Sequence, residues 1–281
     1  MGKILTLLDG SIYTSSVCDH AIWAAKRMDQ PVELAHVLGH RQGGPSDLSG
    51  NIGLGARTKL MDELAQLDAD RAKLGQLRGR AILEDSAERV SKAGVAVESK
   101  LRQGDLVAEI GVLSEDADLI IIGKRGEAAD FARGHLGSNL ERVVRSCNKP
   151  ILVAARDYQK INRAVIAFDG GPSSLKAVDH IARSPMFEGI ELHLLMVGAD
   201  AVENHRTLDG AASLLKGAGY EVDIELVQGD PADEINSRIQ DGGADMLVMG
   251  AYGHSRIRSL IIGSTTTEMI RRCGVSLVLF R

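Results

Sequence analysis

The sequence predicts an α/β protein of two tandem doubly wound domains, each a five-stranded parallel sheet with helices on both faces. Three observations predict it. The chain repeats itself: Ala117-Asp118-Leu119-Ile120-Ile121-Ile122-Gly123 returns as Ala244-Asp245-Met246-Leu247-Val248-Met249-Gly250. Each copy leads to a glycine-punctuated loop, a Gly-Ser pair (Gly137-Ser138, Gly263-Ser264), a helix-length run to a cysteine (Cys147, Cys273) and an apolar strand. Short β-rich apolar runs alternate with helix-length segments, the pattern of parallel strands covered on both faces. The 281 residues suit about two domains of roughly 100–200 residues each.

In the first half, residues 3–8 read as a strand ending in Asp9-Gly10-Ser11. Ala21, Ala24, Ala25 and Met28 recur at helical spacing and predict a helix over about 13–28. Val32–Leu38 is the second strand. Residues 39–55, rich in Gly, Ser and Pro, read as a mobile loop. A long helical region follows over about 57–92, open to a break near Gly75 or Gly79. Its Leu64, Leu67, Leu74 and Leu77 read as core or interdomain packing. The third strand falls at 95–101, a short helix at 106–114 and the fourth strand at 119–122. A helix over 138–146 and strand Ile151–Ala154 close the unit.

After a short linker at 156–162 the order repeats. Strand 164–168 ends in Asp169-Gly170-Gly171, and a helix covers 173–184. Strand Glu191–Val197, a helix near 204–218 and strand Val222–Val227 follow. Gly229-Asp230-Pro231 opens a helix with proline in its first turn. Strand 246–249, a loop, a helix and strand Ser276–Phe280 complete the chain. Equivalent positions lie 160 apart at Asp9 and Asp169, 125 at Gly104 and Gly229, and 127 at Gly123 and Gly250. The first half therefore carries about 35 extra residues between its second and third strands. The expected domains are 1–157, with a long insertion over about 39–93, and 158–281.

Composition narrows the function classes. Net charge is −5 and only nine residues are aromatic, so the basic stripe and stacking rings of a nucleic-acid binder are missing. No run reaches the ~18 apolar residues of a membrane helix, and the N-terminal apolar run is too short for a secretory signal. Three cysteines without a C-x-x-C pair fit a reducing compartment. Cys147 and Cys273 read as small buried hydrophobes, and the expected location is the cytoplasm. His36 and His40 do not converge on a metal, because they lie where a strand runs into a loop.

The chemistry concentrates where strands end. Gly250-x-x-Gly253, nine residues, then Gly263-Ser264-Thr265 leads from a buried strand to a helix start. Glycines let backbone N–H groups approach phosphate oxygens, and a helix N-terminus favours an anion. His254 and Arg256 are candidate phosphate contacts. The loop is neither a Walker A motif nor a G-x-G-x-x-G fingerprint. Asp9 and Asp169 end strands. With Ser15 and Ser173 read as the caps of the helices that follow, both aspartates are candidates for ligand contact.

The strand–Asp–Gly start of each unit and the G-x2-G-x9-G-S/T near its end resemble the universal stress protein family, in a tandem two-domain form that covers almost the whole chain. Many members bind ATP; others lack the glycine motif and bind none. The resemblance implies that Asp169, with the adjoining Gly170, and the backbone of Val197 recognise adenine. It implies that Gly250 and Gly253 lie against ribose and phosphate, and that Gly263, Ser264 and Thr265 hold the distal phosphates. The matching first-half positions are Asp9, Val37, Gly123, Gly126, Gly137 and Ser138. ATP, ADP or AMP is the implied ligand, with Mg²⁺ accompanying ATP. The first half departs from the pattern: ten residues separate Gly126 from Gly137, and Asn139 replaces Thr265. Glu127 and Asp130 bring negative charge there, while Lys124, Arg125 and Arg133 oppose it.

The expected function is therefore a nucleotide-binding stress-response regulator with its nucleotide in the second half and no catalytic residues. A nucleotide-free interaction scaffold and a slow ATPase or adenylyl-transfer enzyme are the alternatives. Bare apolar edge strands invite pairing, so Ile151–Ala154 and Leu277–Phe280 are expected to face each other across a pseudo-twofold within the chain. A homodimer of the tandem chain is compatible with the sequence.

Overall fold

A computed structural model describes residues 2–39, 54–126, 138–251 and 262–281, with backbone alone at 54–59 and 138. The first half runs β1 (Lys3–Leu7), α1 (Thr14–Met28), β2 (Val32–Leu38), α2 (Leu54–Lys92), β3 (Val97–Gln103), α3 (Leu106–Leu113), β4 (Ala117–Gly123), α4 (Ser138–Ser146) and β5 (Ile151–Ala154). The second runs β6 (Arg163–Ala167), α5 (Pro172–Arg183), β7 (Glu191–Val197), α6 (Val202–Gly217), β8 (Val222–Val227), α7 (Pro231–Asp241), β9 (Met246–Gly250), α8 (Ser264–Arg272) and β10 (Ser276–Phe280).

The two sheets are one. Strand order is β3-β2-β1-β4-β5-β10-β9-β6-β7-β8, parallel within each half. At the centre β5 and β10 pair antiparallel, with Val153 opposite Leu277 and Ile151 opposite Leu279. The apolar end strands thus meet as expected, and they fuse two five-stranded sheets into ten strands. Side-chain alternation then makes two cores. Ile4, Leu34, Ile121, Ile166 and Val278 face α1, α2, α5 and α6. Leu5, Ile120, Val165, Leu247 and Leu277 face α3, α4, α7 and α8. Each core spans both halves. The helix starts follow their caps: Asp105 accepts from Val107 and Ala108 N–H, and Asp230 from Ala232 and Asp233 N–H.

Polar groups lace the seam. His20, 1% exposed, places Nδ1 2.7 Å from the Ser16 carbonyl and Nε2 2.7 Å from Ser276 Oγ. Ser16 Oγ donates to the Ala155 carbonyl, and Ala155 N–H donates to Ser276 Oγ. Tyr158 packs edge-on against the imidazole at 4.9 Å. Burial holds His20 below its ordinary pKa, and does the same for His180, the equivalent residue beside Phe280. Both rings therefore take up a proton less readily in the fold than in the unfolded chain, where they charge as pH falls through about 6.5. Stability is complete above that value and falls as pH drops through it, by up to about 1.4 kcal/mol per pH unit for each histidine. Thermal melts between pH 8 and 5 should show the decline, and His20→Gln should make it shallower.

Two expectations about α2 change. The helix runs unbroken through Gly75 and Gly79. Gly79 serves close packing: a Cβ there would stand 2.7 Å from Leu101 Cδ1 and 2.9 Å from the His36 ring. Leu64, Leu67, Leu74 and Leu77 are not core residues but exposed ones. The core contribution of α2 begins later, with Leu83 and Val90. The loop expected over 39–55 lies at 40–53 outside the described residues, and the helix has begun by Leu54. All three cysteines are buried and unpaired, and burial raises each thiol above its ordinary pKa.

Candidate functional site

In the second half three strand ends converge. Ala167 of β6 pairs with Met249 of β9 and with Leu195 of β7. Asp169, Gly250 and Val197, each at or just past these ends, therefore share the carboxyl rim of the sheet, where open α/β folds bind ligands. Asp169 Oδ1 accepts from Gly171 N–H at 2.9 Å and from Ser174 Oγ at 2.6 Å. This aspartate builds the turn into α5. The reading of Ser173 and Ser15 as caps is overturned: Gly171 and Tyr13 occupy the N-cap positions, neither with a side-chain cap bond.

Gly250 lies tight against that helix. A Cβ on it would sit 2.9 Å from Ser173 Cβ and 3.1 Å from Ser174 N. Its carbonyl accepts from Thr266 Oγ1 at 3.0 Å, and Gly263 N–H donates to the Ala251 carbonyl at 3.0 Å. The start of α8 is thereby fastened to the end of β9. Gly263 caps α8 without a side-chain bond, and the first turn holds no acidic residue. Ser264 is exposed and Thr265 half-buried on that turn. Its N–H groups and positive dipole end suit an anion. Gly170 adjoins Asp169 with φ +72°.

The first half repeats the topology with other contents. Leu7 pairs with Ile122 and Ala35, which brings Asp9, Gly123 and Val37 to the equivalent rim. Asp9 Oδ1 accepts from Ser11 N–H at 3.0 Å. Gly126 lies on Asp9, with a built Cβ 3.0 Å from Oδ2. Tyr13 stands where the second half has Ser173, and a Cβ on Gly123 would meet Tyr13 Cβ at 2.9 Å. The first turn of α4, which starts at Ser138, contains Glu141. Lys124, read from sequence as a cation near phosphate, is buried; its Nζ donates to the Cys273 carbonyl at the end of α8. Burial lowers its pKa. Gly137, Gly253, His254 and Arg256 lie outside the described residues.

Ser174, Thr266 and Tyr13 escaped the sequence reading. Ser174 and Thr266 follow their anchors too closely for a motif to isolate them. Tyr13 emerges only when the halves are aligned at Asp9 and Asp169, which sets it against Ser173.

Two doubly wound halves, each with an aspartate after its first strand and a glycine closing its fourth, define a tandem α/β protein that presents two strand-end rims. The universal stress protein family model matches residues 1–155 and again 160–281, and the chain belongs to that family. Universal stress protein Slr1230 of Synechocystis is 35% identical over 290 residues, covering all of both chains. Universal stress protein Rv2005c of Mycobacterium tuberculosis is 24% identical over 233 residues, 72% of this chain and 77% of that one. The crystal structure of a universal stress protein from Archaeoglobus fulgidus shares the fold, with a TM-score of 0.74 at 22% identity over 99% of this chain and 98% of that one.

Proposed function

We propose that this chain is an adenine-nucleotide-binding stress-response regulator of the cytoplasm, with the nucleotide in the second half of a chain divided near 157/158. The observation that carries the reading is the rim formed by Asp169, Val197 and Gly250 beside the start of α8, whose first turn is free of acidic side chains. Asp169 and the Val197 backbone recognise the base. Gly250 and Gly253 border the ribose and phosphates, and Gly263, Ser264 and Thr265 hold the distal phosphates with His254 or Arg256 nearby. Bound ATP carries Mg²⁺ on its phosphates. Occupancy biases partner contacts rather than driving turnover.

The equivalent first-half positions, Asp9, Val37, Gly123, Gly126, Gly137 and Ser138, form a divergent sister site. Tyr13, Glu141 and the diversion of Lys124 favour an empty, scaffold-like role there. Titration calorimetry with ATP and ADP should give one site per chain. The Asp169→Asn chain separates recognition from turn-building, since an amide oxygen still accepts from Gly171 and Ser174. It should melt within a few degrees of the parent and bind ATP about tenfold more weakly or worse. Undiminished binding by that variant would remove Asp169 from the site.

A further inference from the structure

The exposed half of α2 is unlike anything in the second half. Ile82 and Thr207 stand in the same place, over Gly10 and Gly170, 125 residues apart. Val202, where α6 starts, thus matches Leu77, and residues 54–76 have no counterpart. Those 23 residues extend about 34 Å at the α-helical rise. Every residue from 61 to 74 is exposed.

This projecting arm is not a polar helix. Leu60, Leu67 and Leu74 recur at intervals of seven, the spacing of coiled-coil d positions, with Leu64 at the a position between them and arginine at the a positions 57, 71 and 78. Leu67 is 52% exposed and Leu74 65%. A contiguous apolar row of this kind marks an interaction surface.

We propose that the arm pairs antiparallel with the same arm of a second copy of this chain. The charges choose the orientation. With Leu64 facing Leu74 of the second copy, Arg71 faces Leu67 and Arg78 faces Leu60. Asp70 of the second copy then flanks Arg71, while Arg78 reaches Gly10 of its own chain. Arg71, which lies 3.9 Å from Asp68 on its own helix, gains a second acid. Parallel in-register pairing would instead stack Arg71 on Arg71 and Arg78 on Arg78. The row, read about Ala69, spans 60–78 and overlaps the exposed residues 61–74; Asp68 stands opposite Asp70 of the second copy, and the two Arg71 side chains lie among these four carboxylates. Pairing over that length buries on the order of 1,200 Å² in total, the lower bound of stable specific interfaces. The two globular bodies sit at opposite ends of the pair. Such a dimer leaves the β5–β10 seam untouched.

Sedimentation of the full chain between 5 and 100 µM tests this. The apparent mass should rise with concentration over that range, from nearer one chain towards two. Leu67→Glu/Leu74→Glu should hold it at one chain throughout, with an unchanged melting temperature because these side chains lie outside the core. Oxidising an equimolar mixture of Leu64→Cys and Leu74→Cys chains should give the mixed crosslinked dimer. A parent chain that stays monomeric at 100 µM leaves the leucine row to another partner and overturns self-pairing. A dimer unaffected by the double glutamate variant, or crosslinks only between identical variants, overturns the proposal equally.

Discussion

The Gly250→Val chain is expected to lose nucleotide binding in its second half and to melt about 3–10 °C below the parent. The side chain has nowhere to go. Its Cβ would be 2.9 Å from Ser173 Cβ, 3.1 Å from Ser174 N and 3.3 Å from Ser173 C. The last two are backbone atoms of the first turn of α5, which cannot swing aside as a side-chain tip could. Relief requires β9 and α5 to separate, at the 1–3 kcal/mol typical of overpacking, or about 2–4 °C per kcal/mol for chains of this size. The displacement acts on the proposed site directly. Asp169 Oδ1 is bound to Ser174 Oγ, and the Gly250 carbonyl is bound to Thr266 at the start of α8. Gly123→Val supplies the control. Its Cβ meets Tyr13 Cβ at the same 2.9 Å, so it should lower the melting temperature comparably while second-half binding persists. Calorimetry and thermal melts on both variants decide the matter: parental ATP affinity in Gly250→Val would refute the assignment.

Lys124→Glu should be the most destabilising single change at the seam. Lys124 is 8% exposed, and its ammonium caps the carbonyl end of α8 from across the chain. Cations belong at that end of a helix. A glutamate would bring a buried negative charge to a carbonyl oxygen and to the negative dipole end, with no compensating donor. Uncompensated buried charge costs about 3–5 kcal/mol, a fall on the order of 10 °C. Lys124→Met keeps the stem and forfeits only the hydrogen bond, so it should cost about 1–3 kcal/mol. A Lys124→Met chain that melts with the parent would show that the ammonium contributes nothing at this position.

Most of the architecture was legible because its signals are local. Ile120-Ile121-Ile122 and Met246-Leu247-Val248-Met249 could only be covered strands, and Asp230-Pro231 could only open a helix. The central pairing was also legible, since two apolar end strands had one obvious way to avoid solvent. The misreadings share a cause: they concern relations between distant segments. Gly79 weakens an isolated helix but permits close contact with His36 and Leu101. Leu67 and Leu74 have core composition, but among the described residues both are exposed. Lys124 lies beside a glycine loop in sequence and against Cys273 in space.

The seam has a mechanical meaning. Because β5 and β10 run in opposite directions, the two strand-end rims look out from opposite edges of one sheet. Helix α8 starts at the rim of the second half and ends on Lys124, which follows Gly123 at the rim of the first. Helix α4 starts at the first rim and ends on Arg281, which donates to the Arg145 carbonyl from just past β10. The two helices act as crossed tie rods, each anchored at one end in its own half and at the other in its sister. Each rim is thus tied through one helix to the opposite edge of the sheet.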